Sequence, residues 1–229
     1  MKSIYMMTVA GVLGLLTACA APDVQLDQTF WQNHKQKIDV AQAKLPKATL
    51  YQQGQQGLLD VVVSGVVSNK FDNYLKTVDV KQISSLSPEF TKALKARGIP
   101  AEVYSQPINL SNLNSSGKDA KGYATKNFTA LSGRLNADKI LLVDVQQLGA
   151  LRNYYGPIPL GAPKAVCKLE GQLIELKTNK ILWRYTSSVT VPVTGEWDQA
   201  PNYPNFNTAI EKAMQVAKQE LYDSFTAST

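Results

Sequence analysis

The sequence predicts an α/β sandwich, in which helices pack against a mixed sheet of roughly four or five strands. Three patterns predict it. Segments with helical and with strand periodicity alternate through the middle of the chain. A long run of alternating apolar and polar residues near the C-terminus predicts an antiparallel hairpin. An unbroken apolar stripe at helical spacing then predicts a closing helix that lies across the sheet.

The first elements of the domain differ in how clearly the sequence predicts them. Residues 47–52 alternate in polarity and predict a strand that ends before Gly54. Residues 58–78 are ambiguous, because their valines favour a strand whereas their apolar spacing of three and four residues favours a helix. We expect a helix there, since a segment of this length with helical spacing is longer than a typical strand.

The next elements have clear start and stop residues. Ser87 is a good N-cap and Pro88 suits the first helical position, so a helix is expected to run to Arg97 and to end at Gly98. A short strand is expected over residues 101–104, and a loop over the polar residues 111–122. Residues 124–135 predict a further helix with three apolar side chains on one face, namely Phe128, Leu131 and Leu135.

The last part of the chain carries the strongest strand pattern. Residues 139–145 are almost continuously apolar, which predicts a central strand covered on both faces. We expect a loop over residues 152–161, and then a hairpin whose turn is Thr178-Asn179. The closing helix follows Pro204 and extends to Phe225.

The N-terminal segment predicts export. Lys2 precedes an apolar run over residues 4–16 that closes in Leu16-Thr17-Ala18-Cys19. The run is shorter than the ~20 residues of a membrane-spanning helix. A cysteine directly after Leu-Thr-Ala resembles the lipobox of bacterial lipoproteins. An ordinary secretory signal is the alternative.

The resemblance to a lipobox implies a specific modification. The Cys19 thiol would carry an S-diacylglycerol group, the chain would be cut before Cys19, and the new amine would be acylated, for example with palmitate. In the Gram-negative sorting pattern, Asp at the next position retains a lipoprotein in the inner membrane. Ala20 stands there, which implies an outer-membrane lipoprotein that faces the periplasm.

The predicted organisation has three parts. Residues 1–18 are a lipoprotein signal peptide, residues 19–46 are the lipidated cysteine and a polar tether, and residues 47–229 form a single α/β periplasmic domain. The other cysteine, Cys167, lies in an alternating segment and is expected to be a buried, unpaired thiol.

The order of elements and two sequence phrases carry a wider resemblance. The central strand begins Ala-Asp-Lys-Ile-Leu-Leu over residues 137–142, and the hairpin reads Gly-Gln-Leu-Ile-Glu-Leu-Lys-Thr-Asn-Lys-Ile-Leu-Trp over residues 171–183. With the lipobox, they resemble a loose group of outer-membrane lipoproteins. The group includes the neisserial GNA-type lipoproteins, the curli secretion lipoprotein and the activators of penicillin-binding proteins. Their domain is similar to the N-terminal domain of TolB, and some members form rings or dimers, which implies a homo-oligomer.

Composition and motifs indicate little catalytic chemistry. The net charge of +6 is spread along the chain without a basic block, so we expect no nucleic-acid partner. The single histidine, His34, lies in the polar lead, so neither a catalytic triad nor a zinc site is predicted. We expect no metal, no cofactor other than the covalent lipid, and no enzymatic activity.

Paired carboxylates are the remaining catalytic option. Asp144 lies within the central strand, and Glu196 and Asp198 flank an aromatic residue in a Pro-rich loop. Glu170 and Glu175 are five residues apart on one strand, so they are expected to point to opposite faces. A hydrolase that relies on Asp144, or on Glu196 with Asp198, is therefore one hypothesis.

Two aromatic loops are candidate contact surfaces. One carries Tyr154 and Tyr155 with Arg152 as a polar anchor, and the other carries Trp197 and Tyr203. Tyr and Trp supply large, stiff contact areas at interfaces. The same residues could instead pack on one another to close the sandwich, and the sequence leaves both interpretations open.

The main functional hypothesis is a non-enzymatic, outer-membrane-anchored lipoprotein. Its domain would act as a scaffold or activator by binding a protein partner in an envelope machine for secretion, transport or peptidoglycan assembly. The alternative is a peptidoglycan- or glycan-binding module that uses the aromatic loops.

Overall fold

A seven-stranded mixed sheet organises the fold. The structure, a computed structural model, describes residues 22–54, 61–62, 69–117, 122–155 and 158–227. The strands are β1 (Ile38–Gln42), β2 (Thr49–Gly54), β3 (Val61–Val62), β4 (Ala101–Val103), β5 (Lys139–Tyr155), β6 (Ile158–Glu175) and β7 (Ile181–Pro192). The predicted α/β class, the mixed sheet and the long antiparallel hairpin are confirmed.

β5 is the central strand of the sheet and pairs with three other strands. One edge of β5 pairs in parallel with β1 near its start and with β2 near its end, while the other edge pairs antiparallel with β6. β4 lies outside β1, β3 lies outside β2, and β7 pairs with β6. The near-continuous apolar sequence of β5 suits this central place, because side chains on both of its faces are covered.

A glycine allows β5 to change partners. Gly149 has a φ of 143°, and a Cβ there would lie 1.9 Å from the carbonyl oxygen of Thr49. It is also the first β5 residue paired with β2, shortly after a register shift between Val145 and Gln147. Only glycine fits this close approach of two backbones.

Three α-helices cover one face of the sheet. They are α1 (Asn69–Leu75), α2 (Leu86–Ala96) and α3 (Pro204–Thr226). Short 3₁₀ helices lie at Gln28–Gln32, Lys81–Ser85, Leu110–Asn112 and Phe128–Leu131. α3 packs on β6 and β7 through the predicted apolar stripe, whose members from Phe206 to Phe225 are buried. The predicted C-terminal helix is therefore confirmed.

The sheet separates two hydrophobic cores. The larger lies between the sheet and the three α-helices, and it includes Cys167 and Trp183. The smaller lies on the opposite face, beneath the segment that carries Phe128 and Leu131. Cys167 is a free, fully buried thiol, as the sequence predicted.

The folded domain begins earlier than the sequence predicted. β1 lies inside the expected tether of residues 19–46, where it pairs with both β4 and β5, and its residues 38–41 are buried. Phe30 is also buried, against Trp31 and Phe225. The sequence did not predict β1, because the strand has only five residues and its neighbours in the chain are polar. Together with the short β3, it brings the sheet to seven strands instead of four or five.

Two helix predictions need correction. α2 begins one residue before Ser87, after a 3₁₀ helix, so Ser87 is a buried residue inside the helix and not its N-cap. The expected helix over residues 124–135 is only the 3₁₀ helix Phe128–Leu131. The predicted apolar side chains Phe128, Leu131 and Leu135 are buried nonetheless, because the segment packs on the sheet with an irregular backbone.

Two further segments differ from the prediction. Within the ambiguous residues 58–78, Val61 and Val62 form β3 and α1 begins at Asn69, so both structures occur; residues 58–60 and 63–68 lie outside the described residues. Residues 152–155 and 158–161 are strand and not loop, since β5 continues to Tyr155 and β6 starts at Ile158; residues 156 and 157 lie outside the described residues. The predicted signal peptide and Cys19 lie outside the described residues.

Candidate functional site

The outer end of the β5–β6 hairpin carries an exposed apolar surface. The exposed fractions are 60% for Tyr155, 59% for Ile158 and 52% for Leu160. Tyr155 pairs with Ile158, and Asn153, two residues earlier on β5, pairs with Leu160. Paired residues, and residues two apart on a strand, lie on the same face, so Tyr155, Ile158 and Leu160 share one face of the hairpin. We call Tyr155, Ile158 and Leu160 the hairpin tip. Among the described residues only one other large hydrophobic, Val103, is comparably exposed.

The other predicted contact residues lie around an aromatic cluster on α1. Trp197 is half-buried, with its ring centroid 5.4 Å from that of Phe71, and Tyr203 is buried 5.0 Å from the same ring. Tyr154 is also buried, and this burial raises the pKa of its phenol. The rings of Tyr154 and Tyr203 therefore offer little surface, and packing accounts for most of this aromatic content.

Arg152 connects the two predicted loops. Its guanidinium carbon lies 4.7 Å from the centroid of the Trp197 ring, and its Nε donates a hydrogen bond of 2.9 Å to the carbonyl of Gly161. The two segments therefore contact each other through Arg152. Arg152 holds the hairpin against the loop that precedes α3.

A polar groove of about 720 Å³ occupies the face of the sheet that α1, α2 and α3 leave uncovered. Alternate residues of β6 and β7 form its floor, so their side chains point to one face. Its lining is Pro22, Asp23, Thr125, Gln146, Lys168, Glu170, Gln172, Arg184, Thr186 and Ser188. We call this set the polar groove. Beside it, a smaller cavity of about 150 Å³ is lined by Asp144 and Glu170 among others.

The structure pairs two carboxylates that the sequence did not bring together. Asp144 lies directly opposite Glu170 on the neighbouring strand. Burial, and then the charge of Glu170, raise the pKa of Asp144, against the lowering effect of hydrogen bonds from Val145 and Gln146. The side chain of Gln146 donates to Asp144 at 2.5 Å, and the side chain of Gln172 donates to Glu170.

The register of the hairpin could have revealed this pair. Antiparallel strands place residues opposite one another at positions set by their turn. With a loop predicted over residues 152–161, no register between β5 and β6 follows from the sequence, so the pairing of Glu170 with Asp144 is not predicted. Glu170 lines both the polar groove and the smaller cavity, whereas Asp144 lines the smaller cavity, so the two acceptor oxygens lie where the cavities adjoin, with an amide donor on each carboxylate.

The remaining candidates are dispersed. Glu196 and Asp198 are exposed in the loop before α3, where the Glu196 side chain accepts from Gln199 at 3.2 Å. His34 is exposed, and Gly98 lies closely beside its ring. Within the described ranges, no three residues of the metal-binding types are grouped to hold an ion. No helix in the described part of the chain combines the length and the apolar character that crossing a bilayer requires.

The chain has weak structural similarity to solved structures. No protein-family model matches the chain, and no curated protein matches it. Lipoproteins are among the similar structures. Lipoprotein GNA1162 from Neisseria meningitidis is 11% identical, with 80% of this chain and 98% of that chain covered and a TM-score of 0.33.

Two other solved structures are similar at the same level. The PelC dodecamer from Paraburkholderia phytofirmans is 12% identical, with 86% of this chain and 95% of that chain covered and a TM-score of 0.32. The hypothetical protein CT253 from Chlamydia trachomatis is 8% identical, with coverages of 85% and 98% and a TM-score of 0.38. At these identities and TM-scores, the similarities carry no argument about the function of this chain.

Proposed function

We propose that this protein is a lipid-anchored outer-membrane lipoprotein that binds a protein partner in the envelope through its hairpin tip. The observation that carries the proposal is the exposure of Tyr155, Ile158 and Leu160 on one face of the hairpin. Exposed apolar side chains that lie together on one face are a common feature of interaction sites. Tyr is also one of the residues that most often dominate binding energy at interfaces.

The position of the N-terminal segment supports this role. Val24 and Arg184 exchange two backbone hydrogen bonds of 2.9 Å. Arg184 on β7 pairs with Gln172 on β6, and Gln172 pairs in turn with Leu142 on β5, so Leu142 marks the level of Val24 along β5. Tyr155 lies thirteen residues beyond Leu142 on β5, which is up to about 43 Å at the rise of a strand. A lipid on Cys19 would therefore hold the domain at one end and leave the hairpin tip free at the other.

The other functional hypotheses have less support. The burial of Tyr154 and Tyr203 removes two stacking faces from the glycan-binding alternative. For a hydrolase, the paired acids would be Asp144 and Glu170 rather than Glu196 and Asp198, and a glutamine amide already donates to each of that pair. We retain protein binding as the proposed function.

Site-specific photo-crosslinking in intact cells tests the proposal. A photoreactive phenylalanine analogue at Tyr155 is expected to give a discrete crosslinked protein, whereas the same analogue at exposed Lys212 on α3 gives none. Serine substitutions at Ile158 and Leu160 should remove the crosslink at unchanged protein level. A crosslink to a second copy would identify a homo-oligomer interface. Equal crosslinking at both positions, or none at Tyr155, would contradict the proposal. The lipid anchor is tested separately, by mass spectrometry of the N-terminal peptide for acylation of Cys19.

A further inference from the structure

We propose that the polar groove binds the headgroup of a zwitterionic phospholipid of the phosphoethanolamine type. Arg184 and Lys168 would contact the phosphate, and Glu170 with Asp144 would contact the ammonium group. The inference rests on the proposed function in one respect, since the lipid on Cys19 is what brings the groove to a membrane surface.

Arg184 is the first indication that the groove takes an anionic group. Its residue is 7% exposed, and its Nε lies buried without a hydrogen-bond partner. A buried donor left unpaired is costly, and more so when it is charged. Lys168 lines the same groove from the adjacent strand. The ion pairs among the described residues lie elsewhere, between Lys37 and Glu102 and between Lys218 and Glu89. An anionic ligand would therefore give the charges of Arg184 and Lys168 a counterion.

The carboxylate pair indicates a cation at the side of the groove where it adjoins the smaller cavity lined by Asp144. Asp144 and Glu170 face each other across two strands, and like charges in that position destabilise a sheet. A ligand ammonium group offsets their repulsion. It also supplies three N–H donors, enough to reach both carboxylates while each keeps the amide donor that it has.

The order of the side chains matches a short zwitterion. Three successive cross-strand pairs of β6 and β7 form the floor: Gln172 with Arg184, Glu170 with Thr186, and Lys168 with Ser188. Successive pairs on one face are about 7 Å apart. The acidic row therefore lies between two rows that each carry a cation. Arg184 and Lys168 are about 14 Å apart along the strands, so they reach one phosphate only if both long side chains lean over the acidic row between them. The lining has one apolar residue, Pro22, so the groove suits a headgroup and not an acyl chain.

The path of the chain decides between a lipid and another zwitterion, such as a peptidoglycan stem peptide. Pro22 and Asp23 form part of the groove, and Val24 is fixed to β7. Cys19 precedes Pro22 by three residues, which is at most about 11 Å of extended chain. An acylated Cys19 would therefore place phospholipid headgroups at the rim of the groove.

The test uses the full acylated protein in a maltoside detergent, titrated with glycerophosphoethanolamine and followed by amide chemical shifts. We expect saturable shifts in β6 and β7, and at least tenfold weaker binding of glycerophosphocholine, whose quaternary nitrogen has no N–H donor. Lys168→Gln and Glu170→Gln should each weaken binding at least fivefold. These half-buried side chains are chosen because Arg184 is buried, so the loss of folding is an expected side effect of Arg184→Gln.

The matched controls are Lys180→Gln and Glu211→Gln, which change exposed residues outside the groove and should bind as the wild type does. Absence of binding, equal binding of the choline compound, or equal effects of groove and control variants would overturn the proposal. Binding of a disaccharide tripeptide from peptidoglycan in place of the headgroup would overturn it in favour of a peptidoglycan site. Serine substitutions in the hairpin tip should leave this titration unchanged, so failure of the proposed function and failure of the groove proposal remain distinguishable.

Discussion

The ring of Trp183 lies directly against the backbone of Gly171. A Cβ added at Gly171 would meet Cη2 and Cζ3 of that ring at 2.5 Å, and a methyl group of Leu221 at 2.9 Å. Gly171 lies on β6 and Trp183 on β7, in successive cross-strand pairs of one face, since Gly171 pairs with Tyr185 and Trp183 pairs with Leu173. Trp183 is 1% exposed. The small residue on β6 thus makes the space in which Trp183 packs beneath α3.

Gly171→Ala is expected to lower the free energy of unfolding by about 1–3 kcal/mol, because the new methyl group overpacks the core. The measurement is urea denaturation followed by tryptophan fluorescence. Gly133→Ala is the matched control, since a Cβ there meets nothing within 4 Å. Equal stability of the two variants would show that the ring moves aside without cost.

The turn residue Asn179 joins the hairpin to the smaller core. It adopts a φ of 65°, accepts a hydrogen bond from the backbone of Phe128, and donates to the carbonyls of Ala124 and Lys126, each at 2.9 Å. Asn179→Ala should cost more than about 2 kcal/mol, since it leaves buried backbone groups unpaired and places alanine in a left-handed conformation.

Two further variants separate these contributions in the same denaturation experiment. Asn179→Gly keeps the turn conformation and removes only the side-chain bonds, so it should lie between wild type and Asn179→Ala. Asn202→Ala changes an exposed asparagine and should stay within about 0.5 kcal/mol of wild type. A wild-type stability for Asn179→Ala would refute the role given to these hydrogen bonds.

Asp144 should make stability depend on pH in a direction opposite to that of a salt-bridged acid. Its folded-state pKa is raised, by burial first and then by Glu170, so the folded state holds the proton more tightly than the unfolded state does. Stability therefore falls as the pH rises from the ordinary value of 3.8 through the folded pKa.

Asp144→Asn tests that direction. We expect a gain of about 0.5 kcal/mol at pH 7, the size of a cross-strand pair effect, and no gain below the ordinary pKa of the acid. Asp198→Asn, in an exposed loop, is the control. The measurement is urea denaturation between pH 3 and pH 7, and a loss of stability at neutral pH would show that the carboxylate has a favourable partner instead.

The Cys167 thiol should react very slowly with alkylating reagents in the native protein. Burial raises the pKa of its thiol to about 12, so almost no reactive thiolate forms near neutral pH. Peptide mapping after iodoacetamide treatment at pH 8 should show at least hundredfold slower labelling of Cys167 than in urea. Fast native labelling would mean that β6 opens frequently. Cys167→Ser should destabilise more than Cys167→Ala, because it buries a hydroxyl.

Several elements could be predicted because their apolar pattern repeats over a long segment of the chain. The apolar run of β5, the alternation in β6 and β7, and the stripe of α3 each repeat often enough to define a structure and its buried face. Short elements were missed or misassigned for the opposite reason. β1 has five residues in a polar context, and the segment around Phe128 is buried without forming an α-helix, so contacts with the sheet override local preference there.

The candidate sites divide in the same way. The sequence singled out Tyr155, Arg152 and Trp197, but not which rings would be exposed, because exposure depends on α1 and on the register of the hairpin. It named Asp144 and Glu170 separately, and strand pairing placed them opposite each other.

The sequence by itself determined the α/β class, the long hairpin, the closing helix and the burial of Cys167, because these follow from periodicity within single segments. Only the tertiary structure decided that the N-terminal segment is bonded to β7, that the hairpin tip is exposed, and that acids and cations alternate along one groove. Those features arise between segments far apart in the chain, where register and twist set which side chains meet, and periodicity within one segment carries no information about its neighbours.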